Sequence, residues 1–169
     1  MKITILQMPI TIGSFNANAD TLRQQLEAAL PQKPDAILLP ELWDIGFYPR
    51  PIEDYADPDG TRVQALLAGL ASEYRINIVG GSAACLTNGQ VTNTSFVFDR
   101  HGTRLASYSK THLFSPAKEN KTFAPGQELA IYELDGLKCA TIICYDLRFP
   151  ELYRRLALAG ITVLFLPAE

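Results

Sequence analysis

Histidine and cysteine are the scarcest chemistry in this sequence: two of the first, three of the second, with two methionines and one tryptophan. Cys85, Cys139 and Cys144 are an odd number without disulfide spacing, so a reducing, cytoplasmic location is expected. His101 and His112 do not cluster with them, which argues against zinc. Positive charge is not in excess: 15 Lys and Arg stand against 18 Asp and Glu, for a net charge of −3. With no basic run, neither a nucleic-acid partner nor a polybasic membrane segment is expected. No apolar window reaches the length of a transmembrane helix. The opening "MKITILQMPI" alternates and meets Pro9 too soon for a signal peptide, so it reads as a strand.

What is present is a globular composition. The 169 residues are 47% hydrophobic and 20% charged, which fits one domain, 1–169, with a real core. Strand-like and helix-like periods alternate. "ITILQM" (3–8), "DAILLPEL" (35–42), "NIVGGSAAC" and "ITVLFLP" read as strands, most of them continuous apolar runs of the buried kind. "TLRQQLEAAL" reads as a helix capped by Asn18 or Asp20, with Leu22, Leu26 and Ala29 on one face and Pro31 ending it. "TRVQALLAGLASEYR" places Val63, Leu66, Leu67, Leu70 and Tyr74 at helical spacing. Two hairpins are expected, one turning near Arg100–Gly102 and one at Asp135–Gly136, and Pro150 suits the first turn of a last helix. The result is an α/β chain with helices covering a mixed sheet, without a linker or internal boundary.

Three polar residues follow apolar strands directly. Glu41 follows "ILLP", Lys110 follows "RLASYS", and Cys144 follows "CATII". Loops after strands gather at one rim of an open α/β sheet, so these ends are natural places for reacting groups. A thiol is nucleophilic only as thiolate or beside a base. A desolvated glutamate can take its proton, and an ammonium can stabilise the oxyanion of an attacked carbonyl. Each residue has an ordinary reading as well. Buried free cysteines are usually inert, a Glu after Pro is commonly a solvated loop acid, and a lone Lys is a surface charge. Spacing alone does not bring the three together. A Cys-His hydrolase is disfavoured, because no Gly-x-Cys-x-Gly elbow surrounds Cys144 and neither histidine is placed as a base.

The blocks "LLPELWDIGFYP", "YSKTHLF" and "ICYDLRFPELYR" resemble, in order, the three motif blocks of the carbon–nitrogen hydrolase (nitrilase) superfamily. The resemblance runs from Ile3 through the whole chain. It implies an αββα sandwich, four-layered only on dimerisation, and a Glu-Lys-Cys triad: Glu41 as general base, Lys110 as oxyanion stabiliser, Cys144 as nucleophile. Glu119, in "PAKENKTFAPG", matches the place of a second family glutamate, and the Tyr145 N–H is a candidate oxyanion donor. "CYDLRFPE" is similar to the omega-amidase-like branch, whereas true nitrilases carry Trp-Glu after the cysteine. The resemblance therefore implies hydrolysis of small linear amides, such as 2-oxoglutaramate-type monoamides, through a thioester with release of ammonia, and no cofactor or metal. Arg148 is a candidate partner for a substrate carboxylate, although a structural ion pair is the stronger expectation at that position. His112 reads more readily as a packing histidine. Trp43 and Phe47 stay open between pocket mouth and core, and Cys85 and Cys139 read as structural.

Family members continue beyond the point where this sequence stops, after "ITVLFLPAE". The expectation is therefore an incomplete hydrolase domain with an unpaired strand edge, poorly stable alone, forming a homodimer or associating through the exposed sheet. Two functional classes remain: an amidase (with nitrile or N-carbamoyl substrates as alternatives), or an inactive remnant acting only as an assembly or binding module.

Overall fold

The computed structural model describes residues 1–169. The first strand, β1 (Ile3–Ile5), is shorter than the apolar run suggested, and α1 spans Phe15–Ala29. Ser14, rather than Asn18 or Asp20, stands at the N-cap. Asn18 turns inward instead. Its amide donates to Thr11 O and Asp44 O at 2.9 Å each, and its Oδ1 accepts from Thr11 N at 2.7 Å. Leu22, Leu26 and Ala29 face the core as their spacing predicts. The strand β2 (Ala36–Leu38) follows. After a long loop come β3 (Asp57–Pro58) and α2 (Thr61–Tyr74), the latter capped from outside by the Asp57 carboxylate, which accepts from Val63 N at 2.9 Å.

The run "NIVGGSAAC" is two strands, β4 (Asn77–Val79) and β5 (Ala83–Thr87), because the glycine pair breaks it. A Cβ on Gly81, at φ +57°, would lie 2.0 Å from Pro40 O, so only glycine lets the two backbones meet. The long β6 (Gln90–Phe98) pairs with both pieces, and β7 (Arg104–Ser109) pairs with it in turn. Asn88–Gly89, both at positive φ, form the tight β5–β6 turn, a signal the sequence reading passed over. The hairpin β8 (Ala130–Leu134) and β9 (Leu137–Thr141) turns at Asp135–Gly136 as expected. Then come α3 (Pro150–Leu158), with Pro at its start, and β10 (Val163–Phe165), parallel to β9.

These strands make two sheets, not the single mixed sheet that periodicity alone suggested. One has seven strands, in the order β1-β2-β4-β6-β5-β3 with β7 on β6; the other has three, β10-β9-β8. Side-chain alternation sorts the core into layers. Ile37, Ile78, Phe96 and Phe98 face α1 and α2, while Ala36, Leu38, Val79 and Val97 meet Tyr132, Leu134, Cys139 and Phe165 between the sheets. On the far side of the small sheet, Ala140 and Ile142 pack on Leu152 and Leu156 of α3. The αββα order implied by the family resemblance is therefore present. Its fourth layer, however, is supplied by α3 of the same chain and does not await a second copy. Both β1 and β10 are sheet edges, and Ile5 and Ile12 beside that rim are 64% and 67% exposed.

Candidate active site

Glu41, Lys110 and Cys144 follow β2, β7 and β9, so they come from both sheets at one shared end. The structure brings all three together, with Glu119, although 34 to 103 residues separate them in sequence. Glu41, Lys110 and Glu119 are at most 2% exposed. The turn that carries Glu41 is pinned by Leu42 N to Ser82 Oγ (3.0 Å) and by the Trp43 indole N–H to Gly80 O (2.9 Å). Trp43 is thus a core residue, whereas Phe47 stands at the cavity wall. Lys110 is fixed by its N–H to Asn93 O (2.8 Å) and by its carbonyl, which accepts from Gly126 N (2.9 Å).

The Lys110 ammonium donates to Glu41 Oε1 at 2.7 Å and to Glu119 Oε2 and Oε1 at 2.9 and 3.1 Å. Burial alone would lower the lysine pKa, but the two carboxylates outweigh it and hold it above its ordinary value. Glu119 sits in a short 3-10 turn (Glu119–Lys121) and also accepts from Phe114 N at 2.6 Å. Asn93, which sequence reasoning missed, bridges the pair: its Nδ2 donates to Glu41 Oε1 at 2.9 Å and to Glu119 Oε1 at 3.1 Å. The available signal was a lone amide inside a strand, "VTNTSFVF", where Asn is normally depleted. Donor counting separates the two acids. Both oxygens of Glu119 are taken, while Glu41 Oε2 is buried and has no partner.

Cys144 begins a 3-10 turn (Cys144–Arg148) with φ +44°, a left-handed conformation uncommon for a non-glycine residue. Its N–H is held by Pro167 O at 2.9 Å. Burial and then the nearby Glu41 push its thiol up to about 11, against the pull of Lys110 and of the Glu169 N–H. Burial and the neighbouring Glu41 thus favour the thiol over the thiolate at Cys144. The Tyr145 N–H, at the first turn, finds no acceptor within the chain. Asp146 holds the turn from inside. Its Oδ2 accepts from Ile143 N (3.0 Å) and Tyr108 OH (2.7 Å), and its Oδ1 from His112 N (2.9 Å), with His112 Nδ1 at 2.8 Å. The His112 ring stacks on Phe149 with centroids 3.6 Å apart, away from the thiol.

Cys144, Glu41 and Lys110 open on a cavity of about 330 Å³, walled by Phe47, Phe114, Tyr145, Leu147, Arg148 and Glu169. Arg148 is exposed there and forms none of the chain's ion pairs. A larger groove of about 600 Å³ lies beside it, between Ile5–Ile12 and Leu166–Glu169, but it is mainly apolar and holds no thiol or ammonium.

The same two-sheet α/β fold occurs in a solved structure of a member of the nitrilase superfamily. Nit3 of Saccharomyces cerevisiae, a member of branch 10 of that superfamily, superposes with a TM-score of 0.91 at 24% identity, over 99% of this chain and 64% of the other. The chain belongs to the carbon-nitrogen hydrolase family, whose model matches residues 2–168. A 2-oxoglutaramate amidase of Bacillus subtilis (strain 168) is 37% identical over 171 residues, taking in 100% of this chain and 66% of that protein. The human omega-amidase NIT2 is 32% identical over 98% of this chain and 62% of its own length. An amidase from Nesterenkonia sp. AN1, solved after Michael addition of acrylamide at its active-site cysteine, superposes with a TM-score of 0.87 at 27% identity, over 99% of this chain and 66% of its own. The chain thus spans about two thirds of the length of these relatives. No helix is long and apolar enough to cross a membrane.

Proposed function

We propose that this chain carries the catalytic centre of an omega-amidase-like hydrolase, with Cys144 as nucleophile, Glu41 as general base and acid, and Lys110 as oxyanion stabiliser. The carrying observation is that Glu41 Oε2 is buried and unshared beside the Cys144 thiol. Glu41 takes the Sγ proton as sulfur attacks the amide carbon. The oxyanion meets the Lys110 ammonium and the free Tyr145 N–H. As the C–N bond breaks, Glu41 returns the proton to the leaving nitrogen, and ammonia departs from a Cys144 thioester. Water then gives a proton to Glu41 and attacks the thioester carbon. Collapse of that intermediate expels the thiolate, which recovers the proton as the carboxylic acid leaves. Glu119, with both oxygens occupied, serves as the fixed counter-charge that orients Lys110.

The substrates proposed are small monoamides of dicarboxylates, as the name of the Bacillus relative suggests. Arg148, unpaired at the cavity wall, supports a carboxylate at the far end of the substrate. The test is ammonia release from 2-oxoglutaramate and glutaramate, with Cys144→Ala and Arg148→Gln as controls. The first variant should abolish release. The second should raise KM for these substrates about tenfold or more, yet leave it within about twofold for an uncharged amide of similar length. No release by the folded wild-type chain would remove the amidase reading. A second reading, an assembly module docking through the β1 and β10 edges, is favoured by the exposed Ile5 and Ile12. Analytical ultracentrifugation across a concentration series tests it, and a monomer throughout would exclude self-association.

A further inference from the structure

Asn93 is fully buried in β6, a strand position where valine or threonine fits better. Its Oδ1 has no partner at all. A purely structural asparagine would not leave an acceptor buried and bare, since that loss is uncompensated. What the residue does achieve is on its other side. One Nδ2 hydrogen goes to Glu41 and the second to Glu119, at 2.9 and 3.1 Å.

The charges explain why an amide stands there. Lys110 is one positive charge between two buried carboxylates, so the cluster is one charge short of neutrality. A second cation would neutralise the base that the thiol needs, and an acid would add a third like charge. A neutral donor with two hydrogens supports both carboxylates without altering the charge. Its position also matters. Asn93 and Lys110 both donate to Glu41 Oε1, which occupies that oxygen and leaves Oε2 as the unshared oxygen of the carboxylate.

We propose that Asn93 is a positioning residue that fixes the Glu41 carboxylate with Oε2 toward the Cys144 thiol, acting through Glu41 and never on the substrate. This rests on the Glu41–Cys144 reading above, so the experiment has a readout that needs no amide turnover. Iodoacetamide alkylation of Cys144 is followed by mass spectrometry from pH 6 to 10 in the wild type, Glu41→Gln, Asn93→Leu and Asn93→Ser. Cys85 and Cys139 are buried and serve as internal references. Thermal melts establish that each variant is folded. Because Asn93 holds Lys110 N–H through its backbone carbonyl, both side-chain changes leave that bond in place, and Asn93→Ser covers the case in which Asn93→Leu misfolds.

Glu41→Gln should remove the acid limb of the alkylation profile, because the group that takes the thiol proton no longer titrates. The Asn93 variants should slow alkylation about 10- to 100-fold, the scale of one hydrogen bond to a charged group. They should also move the acid limb of the rate profile to higher pH, because a carboxylate stripped of a donor holds its proton more tightly. Where the wild type turns over amide, kcat should fall by a similar factor with KM within about twofold. A purely structural role would lower stability and leave the limb where it was. Asn93 variants with the wild-type rate and limb overturn the proposal, whether or not Glu41→Gln lacks the limb. If Glu41→Gln lacks the acid limb, the Asn93 variants are slow with the limb moved, and no amide is hydrolysed by any of them, the positioning role stands and the substrate assignment falls.

Discussion

Replacing Lys110 by methionine is the sharpest test of the buried cluster. The substitution keeps most of the volume and removes the only cation between Glu41 and Glu119. Two contacts are lost at once, at 2.7 and 2.9 Å, in a place at most 2% exposed. Breaking one buried pair by deleting a partner costs about 3–5 kcal/mol, because the remaining charge stays buried. Here two carboxylates remain with one shared amide donor, so the upper end, about 5 kcal/mol, is expected at pH 7. A domain of this size has about 5–15 kcal/mol in total. With a urea slope of about 2 kcal/mol per molar, the midpoint should fall by about 2 M.

The pH dependence separates this cause from simple loss of packing. In the variant the two acids are desolvated and repel one another, so their folded pKa values rise above the unfolded ones. Groups raised in this way contribute stability at low pH and lose it as the pH climbs through the folded value. The gap between wild type and variant should therefore be widest near pH 8 and close toward pH 4. The wild-type lysine adds no slope in that window, since its pKa is already above the ordinary lysine range. Urea melts followed by far-UV circular dichroism at pH 4, 6 and 8 give the comparison. A gap under about 1 kcal/mol at pH 8, or one that widens on acidification, would refute the cluster as drawn.

Two further outcomes follow from buried details. Burial pushes the Asp44 carboxyl up to about 7, against hydrogen bonds from the Ala84 and Ile45 N–H groups and with some repulsion from Asp57. Its contribution to stability is present below the ordinary aspartate range and lost as the pH rises through about 7. Asp44→Asn should therefore gain on the wild type between pH 4 and pH 8 by a few kcal/mol, on the order of 1.4 per tenfold change in proton affinity; parallel melting curves would count against it. Gly81→Ala should cost about 2–4 kcal/mol from backbone overlap with Pro40 and left-handed strain. By contrast, Gly89→Ala, with nothing within 4 Å of its Cβ, should cost only the strain, about 1 kcal/mol. Equal losses at the two glycines would show that the close approach at Gly81 is not tight.

The elements with one strong local signal were legible in the sequence. Helix α2 was read from its apolar spacing, the β8–β9 turn from Asp-Gly and the start of α3 from Pro150, and each stands where local chemistry put it. Failures came where a tertiary partner outbid the local choice. Asn18 has the right side chain for a cap but is drawn inward by Thr11 and Asp44. The "NIVGGSAAC" run lost its continuity at Gly81 to a carbonyl 41 residues earlier, that of Pro40. Periodicity also cannot say which face of a strand meets which layer, so one sheet was read where two exist. At the site, Glu41, Lys110 and Cys144 were visible as strand-end residues. Asn93 left only a faint mark, an amide inside a strand, because its meaning lies in two carboxylates 52 and 26 residues away.

What sets Cys144 against Glu41 is the small sheet rather than the large one. Cys144 stands just past the end of β9, and the ladder continues beyond the strand: Ile142 N donates to Phe165 O at 3.1 Å, and Cys144 N to Pro167 O at 2.9 Å. The segment after β10 therefore holds the backbone that carries the thiol, while Asp146 pins the turn from within through Ile143 N. Residues 165–167 have only β9 as a strand neighbour, so the positive-φ geometry at Cys144 is the part of the site most exposed to fraying. The Glu41–Lys110–Glu119 cluster is anchored in the seven-stranded sheet and its loops. Glu41 and its charged partners are thus carried by the larger sheet and its loops, whereas the Cys144 backbone is held by the segment after β10.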